Sequence, residues 1–140
     1  MSEGQQANST PSLNLFLVED EVMTAWSFVT MANELGHRVC ATVTTEEDAI
    51  EAISQLKPDV IVLDYRLASG GNGLNLARQI RNEKDIPIIF CTAYGESLRP
   101  TLGMLSRVHL IGKPLRLECL RRALAWAAGL KHGQHQSTNP

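Results

Sequence analysis

Short apolar runs alternate along the chain with longer segments of helical spacing, and this alternation limits the possible folds more than any other feature. The five runs cover residues 13–18, 38–43, 59–63, 86–91 and 108–111. Each has the length of a typical strand. Several are apolar at consecutive positions, as in strands that are covered on both faces. The pattern predicts an α/β fold with a doubly wound, five-stranded parallel sheet and right-handed crossovers.

Helix signals lie in the segments between and after the runs. The five predicted helices cover residues 22–35, 45–57, 73–83, 95–107 and 115–130. Gly36 suits the left-handed position that ends a helix, and Thr45 followed by acids suits an N-cap. Pro100 and Gly103 weaken the fourth helix, because a proline costs about 3 kcal/mol in a helix interior. We therefore expect the fourth helix to be short, late-starting or mobile.

The two ends of the chain are poor in apolar residues. Residues 1–12 and 131–140 cannot offset their ordering entropy by burial, so we expect flexible tails around one domain of residues 13–130. A chain of 140 residues can bury one core, and a second output domain is not expected.

Composition disfavours several classes of function. A net charge of -2 offers no basic surface for a nucleic acid. No apolar run approaches the roughly 20 residues that cross a bilayer, and the N-terminus lacks the pattern of a signal peptide. Cys40, Cys91 and Cys119 are far apart, which is typical of free thiols in a reducing compartment. We expect a cytoplasmic protein.

Polar side chains that can bind a ligand or take part in a reaction lie directly after four of the five runs. Glu19 and Asp20 follow the first run, Asp64 the third, Thr92 the fourth and Lys113 the fifth, after one glycine. In an open parallel sheet, ligands bind beyond the carboxyl ends of the strands. We therefore expect these side chains to meet at one edge of the sheet.

The chemistry of such a group favours a divalent cation and a phosphoryl group. Neighbouring carboxylates repel one another unless they are neutralised, and Mg²⁺ neutralises them while it keeps water ligands. Glu19 and Asp20 are therefore predicted to bind the metal. Asp64 is the candidate carboxylate nucleophile. A phosphoryl group on it would meet the metal, the Thr92 hydroxyl and the Lys113 ammonium.

These residues, in this order and at these strand ends, resemble the receiver domain of two-component response regulators. The resemblance implies a flavodoxin-like sheet with strand order 2-1-3-4-5. It implies that a sensor histidine kinase or a histidine phosphotransfer protein donates a phosphoryl group to Asp64, forming an aspartyl phosphate. It also implies that Mg²⁺ is held by Glu19, Asp20, Asp64 and the backbone carbonyl of Arg66.

The residues of the switch depart from the commonest receiver pattern. Many receivers carry an aromatic residue three positions before the lysine, and here that position is Leu110. Tyr94 instead follows Thr92 by two positions, which resembles receivers associated with the HWE class of histidine kinases. The family implies that phosphorylation draws Thr92 inward and rearranges the face of strand 4, helix 4 and strand 5. We expect Tyr94 and residues 95–107, not Leu110, to form the switch.

The first predicted helix has an apolar strip on the side away from its core face. Val22, Trp26 and Val29 form this strip close to the predicted metal ligands. Exposed aromatic residues often anchor interfaces, so the strip could dock the helical bundle of a kinase. Partial burial of Trp26 against the last helix is the other interpretation.

Two other functions are possible on such a fold. A flavodoxin-type cofactor-binding module would need an anion cradle after strand 1, where acids repel phosphate unless a metal intervenes. A phosphatase with its nucleophile after strand 1 would need a second aspartate two residues on, and Val22 stands there. The leading expectation is a stand-alone signalling domain that acts through a partner or as a phosphoryl sink or relay. Such a domain catalyses only its own phosphorylation and slow dephosphorylation.

Overall fold

The computed structural model describes residues 11–67, 72–93 and 95–137, with backbone alone at residues 96, 97 and 132–137. Its strands are β1 (Asn14–Val18), β2 (Arg38–Val43), β3 (Val60–Asp64), β4 (Ile88–Thr92) and β5 (Val108–Gly112). Its helices are α1 (Val22–Glu34), α2 (Glu46–Leu56), α3 (Gly73–Glu83), α4 (Gly95–Leu102) and α5 (Leu117–Ser137).

The strands form one parallel sheet in the order β2-β1-β3-β4-β5. This order and the alternation of strands with helices confirm the predicted flavodoxin-like fold. Because all strands run the same way, their carboxyl ends lie along one edge. The order reverses between β1 and β3, which is where open α/β sheets bind ligands.

The sheet separates two apolar clusters. α1 and α5 pack on one face, and α2, α3 and α4 pack on the other. Successive residues of a strand point to opposite faces, so in β1 Leu15 and Leu17 enter the first cluster while Phe16 and Val18 enter the second. All four are buried, which explains why the sequence of this strand is apolar at consecutive positions.

Both predicted helix signals are confirmed. Gly36 has φ +90° after the end of α1, a backbone conformation that favours glycine. Its N–H donates to the Asn33 carbonyl at 3.0 Å. At the start of α2, the Thr45 hydroxyl oxygen accepts a hydrogen bond from the Asp48 N–H at 3.2 Å, as an N-cap should.

The fourth helix is short, as predicted, but it does not start late. It begins at Gly95 and has eight residues, with Pro100 inside. A proline lacks the N–H that would continue the helical hydrogen bonds, and this helix ends two residues after it.

The C-terminal boundary differs from the prediction. We expect a flexible tail from residue 131, but α5 continues to Ser137. Helical hydrogen bonds propagate along the backbone without burial of side chains, and the sequence between residues 131 and 137 has no proline. Lys131 Nζ also lies 2.6 Å from Asp59 Oδ1, which ties this turn to the start of β3. Residues 1–10 of the predicted N-terminal tail lie outside the described residues.

Candidate metal centre

Every strand end that the sequence singles out lies at the same edge of the sheet. Glu19 and Asp20 follow β1, Asp64 ends β3, Thr92 ends β4 and Lys113 follows β5. Backbone hydrogen bonds fix this edge. Lys113 N–H donates to the Thr92 carbonyl at 3.1 Å. The structure thus brings together residues that are up to 94 positions apart in the chain.

Three carboxylates converge at this edge. Glu19, Asp20 and Asp64 each offer an oxygen, and these three oxygens lie within 4.8 Å of one another. Glu19 is buried, Asp64 is half-buried and Asp20 is exposed, so the group opens to solvent on one side. An all-oxygen set with room for water ligands suits Mg²⁺. The residues present therefore fit a magnesium ion.

Lys113 supplies the positive charge among the described residues of this group. Its Nζ lies 3.0 Å from Asp64 Oδ2 and 3.5 Å from Glu19 Oε1. Burial lowers the pKa of Lys113, but the hydrogen bond to Asp64 and the charges of Glu19 and Asp64 outweigh burial and raise the pKa. Lys113 is therefore an ammonium ion that faces both acids.

Glu19 lies in surroundings that disfavour its charged form. Burial, followed by the negative charge of Asp64, raises the pKa of Glu19 to about 7. Lys113 and the Glu21 N–H, which donates to Glu19 Oε2 at 3.1 Å, act in the opposite direction. A carboxylate held this way is neutralised by a proton or by a bound cation.

Thr92 and Cys91 share the end of β4. Thr92 is 2% exposed, and it follows Cys91, whose partner in the register of β3 and β4 is Asp64. Burial raises the pKa of the Cys91 thiol to about 12, which makes this cysteine a packing residue rather than a nucleophile. The structure confirms that Cys40, Cys91 and Cys119 are free thiols.

Gly73 is a site residue that sequence reasoning does not identify. A Cβ at this position would lie 2.1 Å from the backbone oxygen of Asp64, which no side chain tolerates. Its N–H donates to the Tyr65 carbonyl at 2.7 Å. The run of glycines before α3 is the visible signal, but the sequence does not show which glycine packs on Asp64.

The predicted switch residues are partly described. Leu110 is half-buried and lies beside the start of α4, because a Cβ at Gly95 would be 3.3 Å from Leu110 Cδ2. Tyr94 lies outside the described residues, so its role stays a prediction. Arg66 is exposed and its N–H lies 3.4 Å from Asp64 Oδ1. The role of its carbonyl also stays a prediction.

The apolar strip of α1 is open to solvent. Trp26 is 65% exposed, Val22 is 78% exposed and Val29 is half-buried. Partial burial of Trp26 against the last helix is therefore the wrong interpretation. The strip begins one residue after Glu21, next to the acidic group.

Comparison with known proteins identifies the class. The family model described as the response regulator receiver domain matches residues 15–125, so the chain belongs to this family. This family consists of phosphoryl-accepting domains of two-component signal transduction, and the comparisons support that function for the chain rather than the flavodoxin-type module.

The individual matches are consistent with this family. The chain is 30% identical over 94 residues to the phyllosphere-induced regulator PhyR of Methylorubrum extorquens. This match covers 66% of the chain and 35% of PhyR. The solution NMR structure of the Erythrobacter litoralis PhyR receiver domain has a TM-score of 0.74 and 31% identity, and the match covers 83% of this chain and 89% of that one.

A third match contains a metal ion. It is the receiver domain of a sensor histidine kinase from Pseudomonas aeruginosa PAO1, crystallised with magnesium coordinated in the active-site cleft. Its TM-score is 0.74 at 26% identity, with 84% of this chain and 98% of that chain covered. The chain spans about half or less of the length of the curated relatives PhyR and the positive alginate biosynthesis regulatory protein. Within the described residues, no helix combines the length and apolar character needed to cross a bilayer.

The raised pKa of Glu19 predicts that magnesium binding depends on pH. Mg²⁺ binds the carboxylate form, so below about pH 7 its affinity should fall by up to about tenfold for each pH unit. Above that pH the affinity should level off. Isothermal titration calorimetry on either side of this pKa measures the effect. A Glu19→Gln variant should bind more weakly and lose this dependence, and equal affinity of the wild type at both pH values would contradict the assignment.

Proposed function

We propose that Asp64 is the phosphoryl acceptor of this receiver domain and that Glu19, Asp20, Asp64 and the backbone carbonyl of Arg66 bind Mg²⁺. The observation that carries this proposal is the convergence of three carboxylate oxygens within 4.8 Å of one another. Lys113 Nζ, 3.0 Å from Asp64 Oδ2, supports it. A nucleophilic carboxylate, a cation site and an ammonium group are the components that phosphoryl transfer needs.

The proposed reaction is an in-line displacement at phosphorus. An oxygen of Asp64 attacks the phosphoryl group of a phosphohistidine, the P–O bond forms, the P–N bond breaks and the leaving imidazole takes up a proton. Bound Mg²⁺ would neutralise charge on the phosphoryl oxygens and the carboxylates. Lys113 moves its hydrogen bond from Asp64 to a phosphoryl oxygen, and the Thr92 hydroxyl donates to another.

The phosphoryl donor is a histidine kinase or a histidine phosphotransfer protein, as for receiver domains in general. We propose that this donor is of the HWE class, because the position of Tyr94 two residues after Thr92 resembles receivers associated with that class. In this proposal the two proteins meet in the cytoplasm. The chain acts as a signalling phosphoacceptor that turns over only its own aspartyl phosphate.

The apolar strip of α1 is the proposed docking surface for this donor. Val22, Trp26 and Val29 lie next to the acidic group, and Trp26 and Val22 expose most of their surface. A helical bundle that packs on this strip would bring its phosphohistidine to Asp64. Large exposed aromatics concentrate binding energy at interfaces.

The proposed output surface lies on β5 with α4 and α5. A cavity of about 680 Å³ opens there, lined in part by Arg99, Leu102, Leu110 and Trp126. Movement of Thr92 toward a phosphoryl group would pull on the start of α4, which packs on Leu110 through Gly95. In this proposal Tyr94 and residues 95–107 change position, and a downstream partner reads the change.

Incubation with Mg²⁺ and a small phosphoryl donor tests the acceptor. Intact-mass spectrometry should show the addition of one phosphoryl group to the wild type and none to Asp64→Asn. Asp48→Asn removes an exposed aspartate elsewhere and should label like the wild type. Labelling of Asp64→Asn at the wild-type level would refute the assignment.

Removal of the Trp26 side chain tests the docking surface. Trp26→Ala should slow transfer from a phosphohistidine donor by about tenfold or more, as expected for an interface anchor worth about 1.4 kcal/mol or more. Labelling by a small donor should not change. Leu56→Ala, which removes a side chain that is 46% exposed at the end of α2, is the control. The docking proposal fails if the two variants accept the phosphoryl group from the protein donor at equal rates.

A further inference from the structure

The first residue of α2 makes a long-range contact beside the proposed acceptor. Glu46 Oε2 accepts a hydrogen bond from the Asn72 N–H at 2.6 Å. The two residues are 26 positions apart and both are half-buried. Glu47, next to Glu46 in the same first turn, is exposed. A carboxylate that accepts from a backbone N–H makes a stronger hydrogen bond than a neutral acceptor does.

Asn72 contacts both Glu46 and the segment that follows Asp64. Its Oδ1 accepts hydrogen bonds from Leu74 N–H at 2.7 Å and Asn75 N–H at 3.4 Å, so it caps α3. Asn72 also forms an antiparallel bridge with Arg66. Glu46 therefore holds the residue that joins the start of α3 to the turn after β3.

Asp64, Tyr65 and Arg66 are linked to Asn72 and Gly73 by direct backbone contacts. Gly73 follows Asn72 and packs directly on the backbone oxygen of Asp64, where a Cβ would lie only 2.1 Å away. Gly73 N–H also donates to the Tyr65 carbonyl at 2.7 Å. A shift of Asn72 would thus be transmitted to Asp64 and to the Arg66 peptide.

We propose that Glu46 is a positioning residue for phosphorylation, which acts through Asn72 to orient Asp64 and the Arg66 carbonyl. This inference rests on the proposed function, which assigns those two groups to the acceptor and the metal site. Glu46 is not one of the residues assigned to the acceptor or to the metal site. Glu46 also lies in the first turn of α2, where an acidic side chain interacts favourably with the helix dipole.

Three variants separate positioning from general stabilisation. Glu46→Ala removes the acceptor, Glu46→Gln keeps an oxygen that can accept the same hydrogen bond, and Glu47→Ala removes the same charge from the same helix end without the contact. Calorimetry gives the Mg²⁺ affinity, intact mass gives the labelling rate with a small phosphoryl donor, and NMR gives the hydrogen exchange of the Asn72 amide.

Glu46→Ala should weaken Mg²⁺ binding by about tenfold, the lower range found when outer contacts of a metal site are lost. It should also slow labelling and speed exchange of the Asn72 amide. Glu46→Gln should restore most of the affinity, and Glu47→Ala should match the wild type. If Glu46→Ala does not fold, Glu46→Asp takes its place, since its shorter side chain keeps the charge and withdraws the acceptor.

Equal Mg²⁺ affinity and labelling rate in Glu46→Ala and Glu47→Ala would overturn the inference, even if Glu46→Ala melted at a lower temperature. The wild type distinguishes this failure from failure of the proposed function. If the wild type is labelled at Asp64 while the two variants agree, only the role of Glu46 is wrong. If the wild type is labelled at another residue, the assignment of Asp64 is wrong as well.

Discussion

The chemistry of the carboxyl edge depends on one electrostatic arrangement, in which Lys113 Nζ lies between the carboxylates of Asp64 and Glu19 at 3.0 and 3.5 Å. Three acids meet one ammonium group at this edge, so negative charge remains uncompensated. The pKa of Glu19, raised to about 7 by burial and by Asp64, reflects that excess. A proton or a divalent cation must supply the missing charge. The site is thereby prepared for a divalent cation, and a group that carries phosphoryl oxygens is accommodated once that cation offsets the negative charge.

The fold makes this costly arrangement possible. Buried strands with apolar clusters on both faces hold the strand ends in place, and backbone bonds such as Glu19 N–H to the Val43 carbonyl at 2.9 Å fix the acids. Stabilisation of the core thus offsets repulsion at the edge. Next to this fixed edge lies α4, which is eight residues long and contains Pro100. A rigid site beside a short helix with an interrupted hydrogen-bond pattern is suited to converting a local charge change into a conformational one.

The sequence predicts the fold and the acidic site because the signal is local. Four of the five apolar runs are followed by chemically distinctive residues, and a parallel sheet brings these strand ends together. The contact of Glu46 with Asn72 and the packing of Gly73 on Asp64 depend on tertiary approach, which residue types do not encode. Periodicity places Trp26 on the side of α1 away from the core. It does not predict how much of the Trp26 side chain is exposed, which is 65%. Low apolar content does not prevent a helix, so composition does not predict the extension of α5 to Ser137.

Paramagnetic broadening by Mn²⁺ tests the central claim most directly, because Mn²⁺ occupies magnesium sites with oxygen ligands and broadens nearby NMR signals. The account predicts that substoichiometric Mn²⁺ broadens the amides of Glu19, Asp20, Asp64 and Lys113 first. The amides of Asp59 and His37, at the opposite edge of the sheet, should stay sharp. Broadening centred on the acidic first turn of α2, or spread evenly over the surface, would contradict a single metal site at the carboxyl edge.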